Sequence, residues 1–279
     1  MSMLHMIAQD LVGLALRLVP ILAVLVPLER IFAARAQKIL RGAFLTDLAY
    51  YFFANLLPKL LLVVPLSAAM AALHRAVPDT FYAAMAGLPL WLRLGLALLV
   101  GEISFYWGHR LMHEVPALWR FHAIHHAAED MDWLVNTRAH PVDLFLTRLA
   151  GLVPIYALGL AQPMGHSADS VPVLFALIGS FWGFFVHANL RWRLGWFEWL
   201  LATPAFHHWH HTKDGRAYID KNYAAMLPWL DRVFGTFYLP RHLPGSYGID
   251  GHMPDGFLNQ LAFPFSPSPR PRAEAGAGE

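Results

Sequence analysis

The chain has 279 residues, of which 57% are hydrophobic and only 14% charged, at a mean hydropathy of +0.41. That composition is too apolar and too poor in charge for an ordinary soluble domain of this length and points to a membrane. Its 21 Lys and Arg against 19 Asp and Glu leave a formal charge of +2, too small and too scattered for a nucleic-acid-binding face, and the absence of cysteine excludes disulfides, thiolate zinc sites, iron–sulfur clusters and a cysteine nucleophile.

In chain order, the first apolar run covers about 11–34, and about 20 residues suffice to cross a bilayer. It carries Arg17 and Pro20 and continues into Arg30 with no small-residue cleavage site, so it reads as a retained anchor rather than a secretory signal. A second run, 45–73, has Pro58 and Lys59 near its middle and is expected to form a kinked span or two half-helices. A third, 88–108, leads into His109, a fourth covers 144–161, and a fifth, 171–189, ends on His187-Ala188-Asn189. After 190 the composition is mixed and turn-rich, with Trp192, Trp196, Trp199, Trp209, Tyr218 and Tyr223 available for a membrane surface. The sequence thus predicts an all-α polytopic membrane protein with about four to five transmembrane helices and a helical, cytoplasmic, histidine-rich cap. Residues 1–265 form one membrane-embedded domain, and 266–279, which lack apolar periodicity, are expected to be a disordered tail.

Sidedness follows from Lys and Arg, because positive loops stay in the cytoplasm. The 35–44 loop has Arg35, Lys38 and Arg41, the 109–143 segment has Arg110, Arg120 and Arg138, and 190–279 has nine more, whereas the opposite loops hold only Arg75. With five spans the N-terminus lies outside and every histidine cluster faces the cytoplasm.

Of 16 histidines, 12 fall between His109 and His211. His109 and His113 stand four apart on one helix face; His122, His125 and His126 follow the i, i+3, i+4 pattern, and His207, His210 and His211 repeat it, with His208 pointing aside. His187 stands alone at the end of the fifth span. Nine imidazoles exceed what one ion takes, so two metals are the economical reading, and imidazole suits iron, copper, zinc and nickel alike. His140, before Pro141, is either a direct ligand or a supporting group. The scattered His5, His74, His166, His242 and His252 are expected to be satisfied polar core groups. Glu114, next to His113, either orients a metal histidine and relays a proton or is a solvated acid; Asp130, Asp132 and Asp143 are read as solvated or salt-bridged acids near the headgroups.

His-x-x-x-His, His-x-x-His-His, a lone histidine at a span end and a second His-x-x-His-His together resemble the fatty acid hydroxylase/sterol desaturase superfamily of integral-membrane non-haem diiron oxygenases. The local strings agree: Tyr106-Trp107-Gly108-His109-Arg110, His113-Glu114-Val115-Pro116, Leu118-Trp119-Arg120-Phe121-His122, Arg138-Ala139-His140-Pro141 and Asp231 to Phe237. The resemblance covers about 100–240 and is specific to the superfamily but not to a substrate. One departure stands out: some members carry a second histidine four after the lone one, where this chain has Arg191, so His140, His208 or a water completes the shell, or the site is one ligand poorer.

The resemblance implies two iron ions held by His109, His113, His122, His125, His126, His187, His207, His210 and His211, with His140 as the further candidate, and Glu114 as a candidate catalytic acid. It implies dioxygen as co-substrate and hydroxylation of an unactivated C–H bond of a lipid: a fatty acyl chain, an ether or ornithine-type lipid, a hopanoid or sterol, or a carotenoid. A desaturase or methyl oxidase would use the same metals; a histidine-rich metal transporter or sensor is the reading from another class and would need ionisable residues along its spans. The chain has no Gly-x-Gly-x-x-Gly fingerprint, no cysteine cluster and no haem-binding segment, so electrons come from a separate reductase, ferredoxin or cytochrome-type carrier. Arginine outnumbers lysine 17 to 4, which suggests a GC-rich bacterial genome and an inner-membrane location.

Overall fold

Apolar runs, and the prolines between them, set the helix boundaries. The computed structural model describes residues 3–161 and 169–266, apart from the side chains of 3, 4, 6, 7, 58–60 and 74, so His166 and the tail beyond 266 lie outside the described residues, as does the side chain of His74. α1 (Met3–Ile31) and α2 (Phe44–Ala76) take up the first two runs, and α2 passes through 58 and 59 as one helix of 33 residues, not as two half-helices. A proline inside a helix forfeits one backbone hydrogen bond, which a long helix can absorb; α1 runs through Pro20 and Pro27. α2 stops at Val77, whose extended backbone is what the following proline imposes. After α3 (Asp79–Ala86), α4 (Leu90–Glu114) stops at Val115 ahead of Pro116, and that proline opens α5 (Pro116–His126), where its missing N–H costs nothing. A 3-10 turn at Trp133–Thr137 precedes α6 (Pro141–Ala157), and α7 (Val171–His187) follows. α8 (Pro204–His210) is capped by Thr203, whose hydroxyl accepts Phe206 N–H at 3.3 Å. α9 (Trp229–Val233) and α10 (Phe257–Ala262) complete the described chain, which contains no β-strand.

The segments Ala8–Ile31, Phe44–Leu73 and Leu90–Glu114 are long and apolar enough to cross a bilayer. α6 and α7 have 17 residues each, about 26 Å at 1.5 Å per residue, slightly short of the roughly 30 Å hydrocarbon core. Val12, Leu16, Val19 and Val24 on α1 and Val63 and Val64 on α2 face outward and exposed, a belt suited to lipid rather than water. The chain is a membrane protein.

The five long helices alternate in direction. α1 ends beside the segment after α7: Ala34 N–H donates to Asn189 O (3.1 Å) and Arg191 N–H to Phe32 O (3.0 Å), while the Glu29 carboxylate accepts from Trp133 N–H and Asn189 N–H at 2.9 Å each. α2 begins at this level, where Arg41 forks onto Asp132 (2.6 and 2.8 Å) and Asp47 pairs with both Arg41 and Arg138, all four side chains buried. α4 and α7 end here with their histidines, and α6 starts here. At the far end, Arg93 of α4 pairs with Asp169 before α7, above a cluster of Met70, Ala97, Ile155, Tyr156 and Val171.

Lipid tails are as apolar as leucine, so close approach rather than the hydrophobic effect holds such helices together. A Cβ on Gly108 would stand 2.7 Å from Ala150 Cβ, and one on Gly101 would stand 2.8 Å from the Phe175 ring. These glycines let α4 lie directly against α6 and α7. Of the aromatic residues expected at a membrane surface, Trp196 and Trp199 are exposed, whereas Trp209 and Tyr223 are core. His5, His242 and His252 are surface groups rather than core ones, because they lie at the chain start and in turns with no layer above them.

Candidate metal centre

Nine histidines meet where α4, α5, α7 and α8 converge. α4 carries His109 and His113 one turn apart, α5 brings His122, His125 and His126, α7 ends on His187, and α8 with the residue after it brings His207, His210 and His211; all nine are buried. They sort into two groups, His109, His113, His122, His126 and His210 in one and His125, His187, His207 and His211 in the other. Within each group the ligand atoms lie within 4.8 Å of one another. Each His-x-x-His-His is therefore split between the groups, and the two share a wall in which the His126 and His211 rings stack at 4.3 Å.

The hydrogen bonds decide which nitrogen of each ring is available. Nδ1–H donates to backbone carbonyls from His109 (Tyr223, 2.7 Å), His125 (Arg138, 3.0 Å), His187 (Gly183, 2.7 Å) and His210 (Lys221, 2.8 Å). It donates to carboxylates from His122 (Asp143, 2.9 Å) and His113 (Asp220, 3.2 Å). Carbonyls and carboxylates accept only, so the proton sits on Nδ1 and Nε2 keeps its lone pair. The Nε2 atoms converge: those of His109 and His122 are 3.1 Å apart, those of His125 and His187 3.2 Å, and that of His207, whose Nδ1 has no hydrogen-bond partner among the described residues, is 2.9 Å from His187. Lone pairs facing at such distances repel, and a cation at their focus converts the repulsion into ligation. His126 Nε2 and His210 Nε2 are buried with no hydrogen-bond partner among the described residues. An all-imidazole set of five and four donors fits two ions of the borderline transition metals.

Burial, reinforced by the neighbouring imidazoles, holds the pKa values of His125, His126, His207 and His211 well below the ordinary range and brings His210 to about 3. These rings are neutral near pH 7, which is the ligating form.

Three expected participants stand elsewhere. His140 caps α6, its Nδ1 accepting Val142 N–H at 3.1 Å, and packs against Phe121 and Phe265. His208 donates from Nε2 to Ala188 O (3.1 Å) and accepts the Tyr247 hydroxyl at Nδ1 (2.9 Å), so both its nitrogens are spent. Glu114 is exposed and pairs with Arg110 at 2.7 Å, one helical turn away and outside both groups. The Arg191 departure loses its force because α7 ends at His187 and Ala188 is already extended (φ −58°, ψ 142°), so residue 191 is not one turn further along a helix. The four-histidine group forms without it.

Other residues hold the rings in place. Asp143, expected as a solvated or salt-bridged acid near the headgroups, is buried and accepts the His122 Nδ1–H, and the partly exposed Asp220 accepts that of His113. Asp143 lies in the first turn of α6, three residues beyond His140, and no spacing in the sequence links it to His122. The carbonyl partners carry no signal, since every residue type has one. A cavity of about 130 Å³ reaches His113, His126 and His210 from the side of Trp119, Lys213 and Arg216.

A family model described as fatty acid hydroxylase matches residues 94–236. The chain is 37% identical to the ornithine lipid hydroxylase of Rhizobium tropici over 180 residues, 64% of this chain and 52% of that protein. It is 34% identical to the alkylglycerol monooxygenase of Homo sapiens over 141 residues, 50% of this chain and 29% of that protein, and 27% identical to methylsterol monooxygenase 2-2 of Arabidopsis thaliana over 206 residues, 70% and 69% respectively. It thus spans about half the length of the first and under a third of the second. No solved structure matches it. Since the family match covers half the chain and encloses every histidine of both groups, the chain belongs to the fatty acid hydroxylase family.

Proposed function

We propose that the chain is a membrane-bound non-haem diiron oxygenase that hydroxylates an unactivated C–H bond of a lipid. The observation that carries this reading is the convergence of nine buried imidazoles into two adjacent groups at the ends of membrane helices. His109, His113, His122, His126 and His210 would hold one iron; His125, His187, His207 and His211 would hold the other. Iron bound there would supply oxygen activation, in which one atom of dioxygen would enter the C–H bond, the other would leave as water, and two electrons and two protons would balance the reaction. The chain's own residues supply orientation. Partners on Nδ1 stop the rings from turning, and all nine rings are buried.

The relatives are named for ornithine lipids, alkylglycerols and methylsterols, all of them lipids. We assign that substrate class, entering laterally from the bilayer, with the carbon held against the centre selecting the bond. A separate reductase, ferredoxin or cytochrome-type carrier supplies the electrons, and the Lys/Arg bias supports a site on the cytoplasmic face of a bacterial inner membrane.

Protein purified in detergent from iron-replete cells is expected to carry about two irons per chain with a coupled Mössbauer signature, and lipid extracts of expressing cells to gain a species heavier by one oxygen. His125→Ala and His210→Ala should each lower iron and abolish that species, while His252→Ala, on the surface, should do neither. Zero or one metal in the wild type, or uncoupled iron, overturns the proposal.

A further inference from the structure

Four consecutive residues, 220–223, orient three of the five rings in the first group. Asp220 Oδ1 accepts from His113 (3.2 Å), Lys221 O from His210 (2.8 Å) and Tyr223 O from His109 (2.7 Å). The backbone that presents them is special: Asp220 (φ 58°) and Asn222 (φ 59°) are the only non-glycine residues in the left-handed region among the described residues. Asp and Asn are the side chains that best tolerate that conformation.

The segment is anchored from behind. Asn222 is fully buried; its Nδ2 donates to Phe206 O (2.9 Å) and Tyr238 O (2.7 Å), its Oδ1 accepts Tyr238 N–H (2.8 Å), and its own N–H donates to Thr236 O (2.9 Å). Phe206 lies in α8, so this side chain ties the segment to the helix that carries His210. Asp231, also fully buried, accepts Tyr223 N–H (2.7 Å) and Ala224 N–H (3.0 Å) and thereby fixes the peptides next to the carbonyl that holds His109. Asp220 itself is a third exposed, so the fold gains little from its burial, yet its backbone keeps the left-handed turn that delivers its carboxylate to His113.

The geometry points to residues 220–223 as a strap that aims His109, His113 and His210 at a metal ion, with Asp220 and Asn222 as its positioning residues. This rests on the metal-centre reading given above. Nothing in the histidine spacing identifies the strap, because it acts on Nδ1 from behind the rings.

Asp220→Gly removes the acceptor at a position where glycine adopts the same backbone freely, whereas Asp220→Asn keeps an accepting oxygen. In protein purified from iron-replete cells, Asp220→Gly is expected to fall from about two irons per chain to about one and to lose the coupled Mössbauer signature, and Asp220→Asn to restore both. Asn222→Gly keeps the turn but cuts the anchor and is expected to show the same loss; should it fail to fold, the Asp220 pair decides. Asp250→Ala, an exposed acid on the same cavity, should leave iron and spectrum unchanged. Two coupled irons in Asp220→Gly, or equal losses in Asp220→Gly and Asp220→Asn, overturn the strap alone. A wild-type chain without iron overturns the metal-centre reading and the strap with it.

Discussion

His122 is held by a carboxylate that is almost wholly out of water, Asp143 at 2.9 Å and 3% exposed. A buried anion on Nδ1–H makes the opposite nitrogen a better donor and fixes the ring's direction, and losing such a partner typically costs about 10–100-fold in metal affinity. Asp143→Ala is therefore expected to weaken iron retention by about that factor in competition with a chelator, and Asp143→Asn to weaken it less, since the amide oxygen still accepts. His122 and Asp143 are 21 residues apart and sit on different helices, so no local pattern links them. The nine histidines were legible for the opposite reason: i, i+3, i+4 spacing is a property of one helix and can be read without knowing what it faces. The same rule placed His208 aside, and the structure shows it spent on Ala188 and Tyr247.

At the scale of elements, α4 is the member on which the first group depends, because it enters the cap with His109 and His113 and lies against α6 without a side chain between them at Gly108. Gly108→Val would drive α4 away from Ala150, and overpacking of this kind costs about 1–3 kcal/mol. The expected outcome is a lower unfolding temperature in detergent together with reduced iron, because His109 moves with its neighbour. A destabilised variant that kept its full iron content would show that the close approach serves the fold alone. The sequence located α4 from an apolar run, and α5 and α8 from the i, i+3, i+4 spacing of their histidines. For the middle of the second run it left open a kinked span or two half-helices, and α2 continues there as one helix, since a helix in a bilayer gives up more by exposing backbone to lipid than by losing one hydrogen bond.

For the whole molecule, alternation of α1, α2, α4, α6 and α7 gathers the histidines at one end of the helices and leaves α3 at the other. The cysteine-free chain permits a direct check of sidedness. Asp79→Cys, exposed at α3, is expected to react with an impermeant maleimide in intact spheroplasts, and Asp255→Cys, exposed in the cap region, only after lysis; the reverse pattern would place the centre outside. A metal transporter would need ionisable residues along its spans. α7 has none before His187, and the histidines close into two groups at the helix ends instead of forming a path, which favours chemistry at a fixed centre.

Hydropathy, proline placement and helical periodicity depend on neighbours in the chain, so the sequence by itself determined the all-helical membrane character, the nine histidines and their presentation on helix faces. The tertiary structure alone decided that each His-x-x-His-His divides between two groups, that His140 and Glu114 stand outside them, and that Asp143, Asp220 and four carbonyls hold the rings. Those outcomes are distances between residues as far apart as His109 and Tyr223, 114 positions along the chain, and only packing of the helices against one another sets them.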